Sequence, residues 1–423
     1  MIPTFLERRI EIAAEIWSEV MHASTPADRW LGSYFYQRSR RFGSQDRRFY
    51  SETIYSLFRH KTFLELWAEK IFPGKEIWGI LVLALVMESL APWEEILECA
   101  EKLDGSLTKD DAAQIKLLEL PISKKGMSEV KFFSLRYSFP EWLVTRWLER
   151  YGSESCEQLL KICQERPPLV IRTNTLKITR DQLLSNFLEQ NIQVKPTPES
   201  PFGIVFKERI NVFESQEFRD GLFEIQDEGS QLLGLKIDPK PGELVWDVCA
   251  GGGGKTLLMG AMMQNKGRII ATDIRPKKLI ELTKRAKRAG LYNVFPADLT
   301  RISQIKRAQK GFDKILVDAP CTGTGTLRRN PDAKWKLSLE KIMYAQKDQL
   351  AILESSLPHL RVGGKLYYAT CSLEPEENQT VMESFLNLHP ELKAVKAGEK
   401  DSFFKLLPQV NQTDGFFLGI AEK

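Results

Sequence analysis

Between Pro239 and the C-terminus, five short apolar runs alternate with stretches of helical spacing: ELVWDVCA, GRIIATDI, FDKILVDAP, GGKLYYATCS and DGFFLGIAE. Short runs that are apolar throughout suit strands buried on both faces. Such strands, each followed by a helix, build a doubly wound α/β sheet with helices on both sides. That architecture is predicted for residues 236–423. Ligands then bind outside the carboxyl ends of the strands. Asp247, Asp273, Asp318 and Cys371 all stand at predicted strand ends.

The first strand runs into DVCAGGGGKT, which invites a nucleotide reading. The spacing excludes a triphosphate loop. That loop needs a glycine five residues before its Gly-Lys-Thr, and Cys249 stands there. The dinucleotide pattern also fails, because Thr256 or Leu257 occupies the place of its third glycine. What remains is a glycine turn opened by Asp247, with a second acid, Asp273, about 20 residues on, where an acid commonly takes ribose hydroxyls. An adenosine without polyphosphate fits, and S-adenosylmethionine is the predicted cofactor. Asp298, in VFPADLT, is either an adenine contact or a surface turn.

DAPC places Asp318 and Cys321 at the mouth of the sheet, and Cys371 ends a neighbouring strand. Free cysteine is often a small core residue, and Cys99, Cys156 and Cys163, in helical segments, read that way. Two thiols at strand ends fit that reading poorly. Thiols, a carboxylate and a sulfonium methyl donor together suit one reaction. A thiolate adds to carbon 6 of a pyrimidine, carbon 5 becomes nucleophilic and takes the methyl group, and loss of the carbon 5 proton expels the thiol. An acid at Asp318 suits the ring edge of cytosine.

Upstream the character changes. Residues 1–125 read as an all-helical module: in DRRFYSETIYSLFRH the apolar residues fall at helical spacing. Residues 130–235 read as a small α/β module, with PEWLVTRWLERYG a helix from a Pro start to a Gly stop, PPLVIRTNTLK and GIVFKERINVF extended, and ITRDQLLSNFLEQNI a second helix. The longest apolar run, Ile77 to Met87, is too short to span a membrane and reads as a buried helix. The charged N-terminus does not resemble a signal peptide. A cytoplasmic monomer away from membranes is expected. With no C-x-x-C pair and only four histidines, no metal site is expected. Net charge is only +4, so the local basic runs matter more. Arg275 to Arg288 holds seven basic residues and one acid, and Arg38, Arg40, Arg41, Arg47 and Arg48 crowd another segment. Each run is either a solvated face or a phosphate contact.

DVCAGGGGKT, DAPCTGTGTLRRNPDAKW and YATCSLEPEEN resemble motifs of the Nop/Sun family of RNA cytosine-5 methyltransferases. The resemblance covers residues 235–423, including TDGFFLGI. Across 130–235, RYSFPEWLVTRW, RTNTLK and QDEGSQL are similar to that family's RNA-recognition-like extension. Across 1–125, DRRFYSETIYSLFRH is similar to the helical module related to the antitermination factor NusB. The resemblance implies a Rossmann-like S-adenosylmethionine-dependent domain acting on RNA, with 16S ribosomal RNA the expected partner. It implies Cys371 as nucleophile, Cys321 in product release, Asp318 on the cytosine and Lys255 close by. It further implies the backbone of Ala250 to Gly254 around the cofactor, Asp273 on its ribose and Asp298 as a further contact. The full candidate cofactor set is Asp247, Cys249, Ala250, Gly251, Gly252, Gly253, Gly254, Lys255, Asp273, Arg275, Asp298 and Asp318. One departure stands out: Gly251 and Gly252 replace the family's Ala-Pro, which frees the loop and costs about 1 kcal/mol on ordering. Two other readings remain: the same chemistry on transfer RNA, and a non-catalytic RNA-binding antitermination or assembly factor.

Overall fold

The computed structural model describes residues 5–103, 105–305, 308–398 and 401–423. The chain forms two compact units. One holds Met1–Arg166 together with Leu327–Leu337, the other Pro167–Thr326 and Ser338–Lys423.

The first unit is helical, and no strand occurs among its described residues. The helix Glu76–Glu88 is apolar all round, and every residue from Gly79 to Val86 is buried. Such a helix belongs at the centre of a bundle. The buried stretch begins later than expected, since Ile77 is exposed. The long helix Ser44–Ile71 bends at His60, where the backbone leaves helical geometry. Past the bend, the Phe63 N–H bonds to the Ser138 hydroxyl at 3.0 Å. Thr62 reaches the Ser134 carbonyl in the same way. These bonds bring the helices Glu129–Tyr137 and Glu141–Gln164 into the helical unit, although the sequence pattern groups them with the middle module. The boundary falls at Pro167-Pro168, where helix cannot continue. Gly152, expected to stop a helix, instead marks a break inside Glu141–Gln164, at φ +74°.

Residues 327–337, which follow the Pro-Cys motif, run as a strap through this helical unit. Asp332 accepts the N–H of Ala27 at 2.9 Å. Lys334 donates to the Arg59 carbonyl at 2.8 Å, and the Trp335 indole to the Phe58 carbonyl at 2.7 Å. Trp335 also packs on the helical core. The Lys334 ammonium lies over the Phe139 ring, and burial holds its pKa well below the ordinary lysine value.

The second unit contains two sheets. The smaller has β1 (Val170–Thr173), β2 (Val194–Pro196), β3 (Gly203–Phe206) and β4 (Phe223–Ile225), in the order β2-β3-β1-β4 and antiparallel throughout. The helix Arg180–Glu189, opened by a capping box between Thr179 and Gln182, buries Leu183 and Phe187 in the core of this module, with Ile171, Ile204 and Phe223.

The larger sheet has β5 (Leu244–Asp247), β6 (Arg268–Ala271), β7 (Val294–Pro296), β8 (Phe312–Asp318), β9 (Leu360–Thr370), β10 (Lys393–Val395), β11 (Phe404–Leu406) and β12 (Phe416–Glu422). Its order is β7-β6-β5-β8-β9-β12-β10, with β11 paired to β12. β6, β5, β8 and β9 pair in parallel with their neighbours, while β12 is antiparallel to β9. This is a Rossmann-like sheet. The strand order reverses at β5, so a crevice opens between the carboxyl ends of β5 and β8, and ligands bind at such a switch point. Asp247 and Asp318 are the last residues of those two strands. Among the described residues no helix is long and apolar enough to cross a membrane.

Candidate active site

The glycine loop after β5 is shaped by backbone conformations that favour glycine. Gly251 has φ +54° and Gly253 φ +88°. A Cβ at Gly253 would lie 2.6 Å from Leu257 Cδ1 and 2.8 Å from Leu282 Cγ, so no larger residue fits. The turn feeds the helix Gly254–Met262. The Ala250 N–H bonds to the Thr272 carbonyl at 2.8 Å, which fastens the loop to the end of β6.

Of the acids expected at the cofactor, Asp247 and Asp273 contact the loop or its helix. Asp247 is 1% exposed, and its Oδ2 accepts the Thr256 hydroxyl at 2.6 Å. Its Oδ1 is buried without a hydrogen-bond partner. Burial raises the Asp247 pKa to about 7, against the pull of Thr256. Asp273 accepts the Gly251 N–H at 2.9 Å on Oδ2, and the Arg275 N–H at 2.8 Å on Oδ1. The Arg275 guanidinium also donates to that oxygen. Asp298, after β7, accepts both the N–H and the hydroxyl of Thr300, so this acid caps its own turn. The Cys249 thiol is half-buried, and burial pushes its pKa up, with Asp247 adding to the effect.

The catalytic candidates gather at the ends of β8 and β9. Lys255 donates to Asp318 Oδ2 at 2.7 Å. Burial lowers the Lys255 pKa, but the Asp318 charge and hydrogen bond outweigh it and leave the ammonium above its ordinary value. A charge on Cys371 acts in the same direction. The Cys321 and Cys371 sulfurs are 3.3 Å apart. Contact with Cys371, then burial, holds the Cys321 thiol well above the usual cysteine range. Cys321 also lines an open cavity of about 600 Å³, together with Ile274, Pro320 and Tyr344. Cys99, Cys156 and Cys163 are buried in helices of the first unit.

A residue not picked out from the sequence holds the two thiol loops together. Glu377 is fully buried. Its Oε1 accepts the Thr322 N–H at 2.8 Å and the Gln349 amide at 3.1 Å, and its Oε2 accepts the Ser372 hydroxyl at 2.5 Å and the Thr322 hydroxyl. Thr322 follows one cysteine and Ser372 the other. Burial raises the Glu377 pKa against these donors. Two backbone contacts complete the join: the Gly325 N–H donates to the Cys371 carbonyl at 2.9 Å, and the Leu373 N–H to the Thr324 hydroxyl at 2.7 Å. A Cβ at Gly325 would strike the Gly415 carbonyl at 2.3 Å, so glycine is required for this approach.

Residues 234–421 match the family model described as 16S rRNA methyltransferase RsmB/F. Residues 139–213 match the model of an RsmF/B-like ferredoxin-like domain, in which the small antiparallel sheet begins. The chain is 28% identical to the "Probable ribosomal RNA small subunit methyltransferase B" of Bacillus subtilis (strain 168), over 90% of this chain and 91% of that one. It is 32% identical to the ribosomal RNA small subunit methyltransferase B of Yersinia pseudotuberculosis serotype O:1b, over 74% of this chain and 71% of the relative. Among solved structures, a methyltransferase homolog protein from Pyrococcus horikoshii superposes with a TM-score of 0.61 at 31% identity, over 70% of this chain and 98% of that one. With a Rossmann-like sheet, a glycine turn between acids and matches along most of its length, the chain belongs to the RsmB/F family of S-adenosylmethionine-dependent RNA methyltransferases.

Proposed function

We propose that this protein methylates carbon 5 of a cytosine in small-subunit ribosomal RNA through a covalent adduct between Cys371 and carbon 6. The carrying observation is the pair of thiols 3.3 Å apart beside the Lys255–Asp318 ion pair.

The residues present suit the cofactor. The unpartnered Oδ1 of Asp247 is a buried acceptor beneath the loop, matched to a cationic donor. Gly251 has open space around the position of a side chain, and Asp273 stands at the ribose position after β6. S-adenosylmethionine supplies an electrophilic methyl group. All else falls to the chain. Cys371 attacks carbon 6 as the thiolate, with the Lys255 ammonium favouring its negative charge. Asp318, oriented by Lys255, accepts a hydrogen bond from the amino group at the cytosine edge, and the Lys255 ammonium stabilises the negative charge that develops on the ring. Cys321 remains protonated and hydrogen-bonds Cys371. Loss of the carbon 5 proton to water re-forms the ring double bond and expels Cys371 as the thiolate, whose departure is eased by the hydrogen bond from the Cys321 thiol. The base must be unstacked to reach two thiols at the bottom of a crevice, which favours naked or partly assembled RNA as substrate.

The test is incubation with protein-free small-subunit RNA and cofactor, followed by bisulfite sequencing. The expected result is one protected cytosine. Methylation on another atom, or only of transfer RNA, overturns the reading.

A further inference from the structure

The basic run 275–288 is not one patch. Arg285 and Arg288 turn inward. Arg285 donates through Nε and Nη2 to Glu224 Oε2 at 3.1 and 3.0 Å, and Arg288 donates to Glu224 Oε1 at 2.5 Å. Glu224 lies on β4, is 3% exposed and pairs across the strands with Arg172 of β1. The remaining donor of Arg285, Nη1, reaches the Gly252 carbonyl of the cofactor loop at 2.6 Å. Arg172 Nη1 reaches the Gly254 carbonyl at 2.8 Å and also meets the Gln226 side chain. Two guanidinium groups seated on the small sheet therefore grip the loop at alternate carbonyls.

The same loop has lost its own stiffness, because Gly251 and Gly252 each give the chain more freedom than a residue with a side chain. A Cβ on Gly252 would lie 3.0 Å from Arg285 Nη1 and 3.0 Å from Glu281 Oε1. Position 252 and the Arg285 side chain thus compete for one volume. Glycine there leaves room for the guanidinium to reach the carbonyl.

We propose that Arg285, seated by Glu224, is a positioning residue for cofactor binding: it supplies from the small antiparallel module the rigidity that the glycine loop lacks. This rests on the cofactor and not on the base or the RNA that receives the methyl group. It also removes Arg285 and Arg288 from the phosphate-binding surface, which passes to the exposed Lys277, Lys284 and Lys287 of the same helix.

Titration calorimetry of the full chain with S-adenosylhomocysteine tests it without any turnover. Arg285→Met should weaken binding about tenfold, the scale of one charge-assisted hydrogen bond. Gly252→Ala should weaken it comparably, since the new methyl group displaces the guanidinium. Combined, the two should be far from additive, because the methyl group then occupies vacated space and stiffens the loop. Binding of Arg285→Met within about twofold of the native protein, or losses that simply add, overturns the proposal. So does a loss of RNA affinity with cofactor affinity intact, the mark of a phosphate contact. If Arg285→Met folds poorly because Glu224 keeps only Arg288 as an ion-pair partner, Gly252→Ala alone decides: weakening supports the proposal and unchanged binding ends it.

Discussion

Cys321 Sγ lies 3.3 Å from Cys371 Sγ, and Cys321 is the thiol that contact and burial keep protonated. Cys371 shares its surroundings with the Lys255 ammonium. The asymmetry separates the two thiols where their order in the chain does not. Cys371→Ala should abolish methyl transfer and form no adduct. Cys321→Ala should still attack but fail to let go, and so accumulate an RNA–protein complex that survives denaturing electrophoresis. A complex trapped with Cys371→Ala instead would exchange the roles.

Lys255 orients Asp318 and remains charged despite its burial. Lys255→Met should slow single-turnover methylation about 100-fold, the usual cost of losing a donor aimed at developing charge. Lys255→Arg should recover part of that rate. A change confined to KM for RNA would instead make Lys255 a binding contact.

Asp247 titrates near pH 7 in the folded chain because burial disfavours its charge, against about 3.9 when unfolded. A raised pKa contributes stability that is complete below the unfolded value and disappears as pH rises through the folded one. Between about pH 4 and 7, the melting temperature of the native chain should therefore fall relative to that of Asp247→Asn. Parallel curves for the two proteins across that window would exclude a buried, protonated acid.

Glu377 joins the two thiol loops through Thr322 and Ser372. Glu377→Ala should reduce kcat by about 10–100-fold while leaving S-adenosylhomocysteine affinity unchanged, and Glu377→Gln should lose less. Calorimetry beside rate measurements checks both. An equal loss of cofactor affinity would show general unfolding.

Trp335 carries the strap into the helical unit by an indole–carbonyl bond and by packing. Trp335→Ala should destabilise that unit by about 3 kcal/mol, visible as an earlier transition in calorimetric melting. An unchanged melt would mean that the strap merely lies on the surface.

The parallel strands are legible in the sequence because burial on both faces makes each an unbroken apolar run: Ile315, Leu316 and Val317 of β8 are all fully buried. The strand-end residues Asp318, Cys321 and Cys371 follow directly. Three-residue strands such as β4, β10 and β11 carry too little pattern to see. Helix periodicity shows a buried face but not which core receives it, so Glu141–Gln164 groups with the middle module in the sequence and packs in the helical unit. Glu377 is hidden because an acid in EPEEN reads as surface until its donors arrive, two from Thr322, one from Gln349 on a helix and one from Ser372. The run 275–288 misleads for the matching reason: Glu224, which neutralises two of its arginines, lies far back in the chain.

The strap also sets an order of events during synthesis. Ala27, Phe58 and Arg59 emerge early, yet their partners Asp332, Trp335 and Lys334 follow only after the whole of residues 167–326. At roughly 5–20 residues per second, that interval lasts on the order of ten seconds or more. Throughout it, the nascent helical bundle displays the apolar seat that Trp335 will fill. The N-terminal half is first to leave the ribosome and cannot be first to finish. A chain truncated before the strap would keep that seat open permanently, and its solubility would report on the missing indole before it reported on RNA.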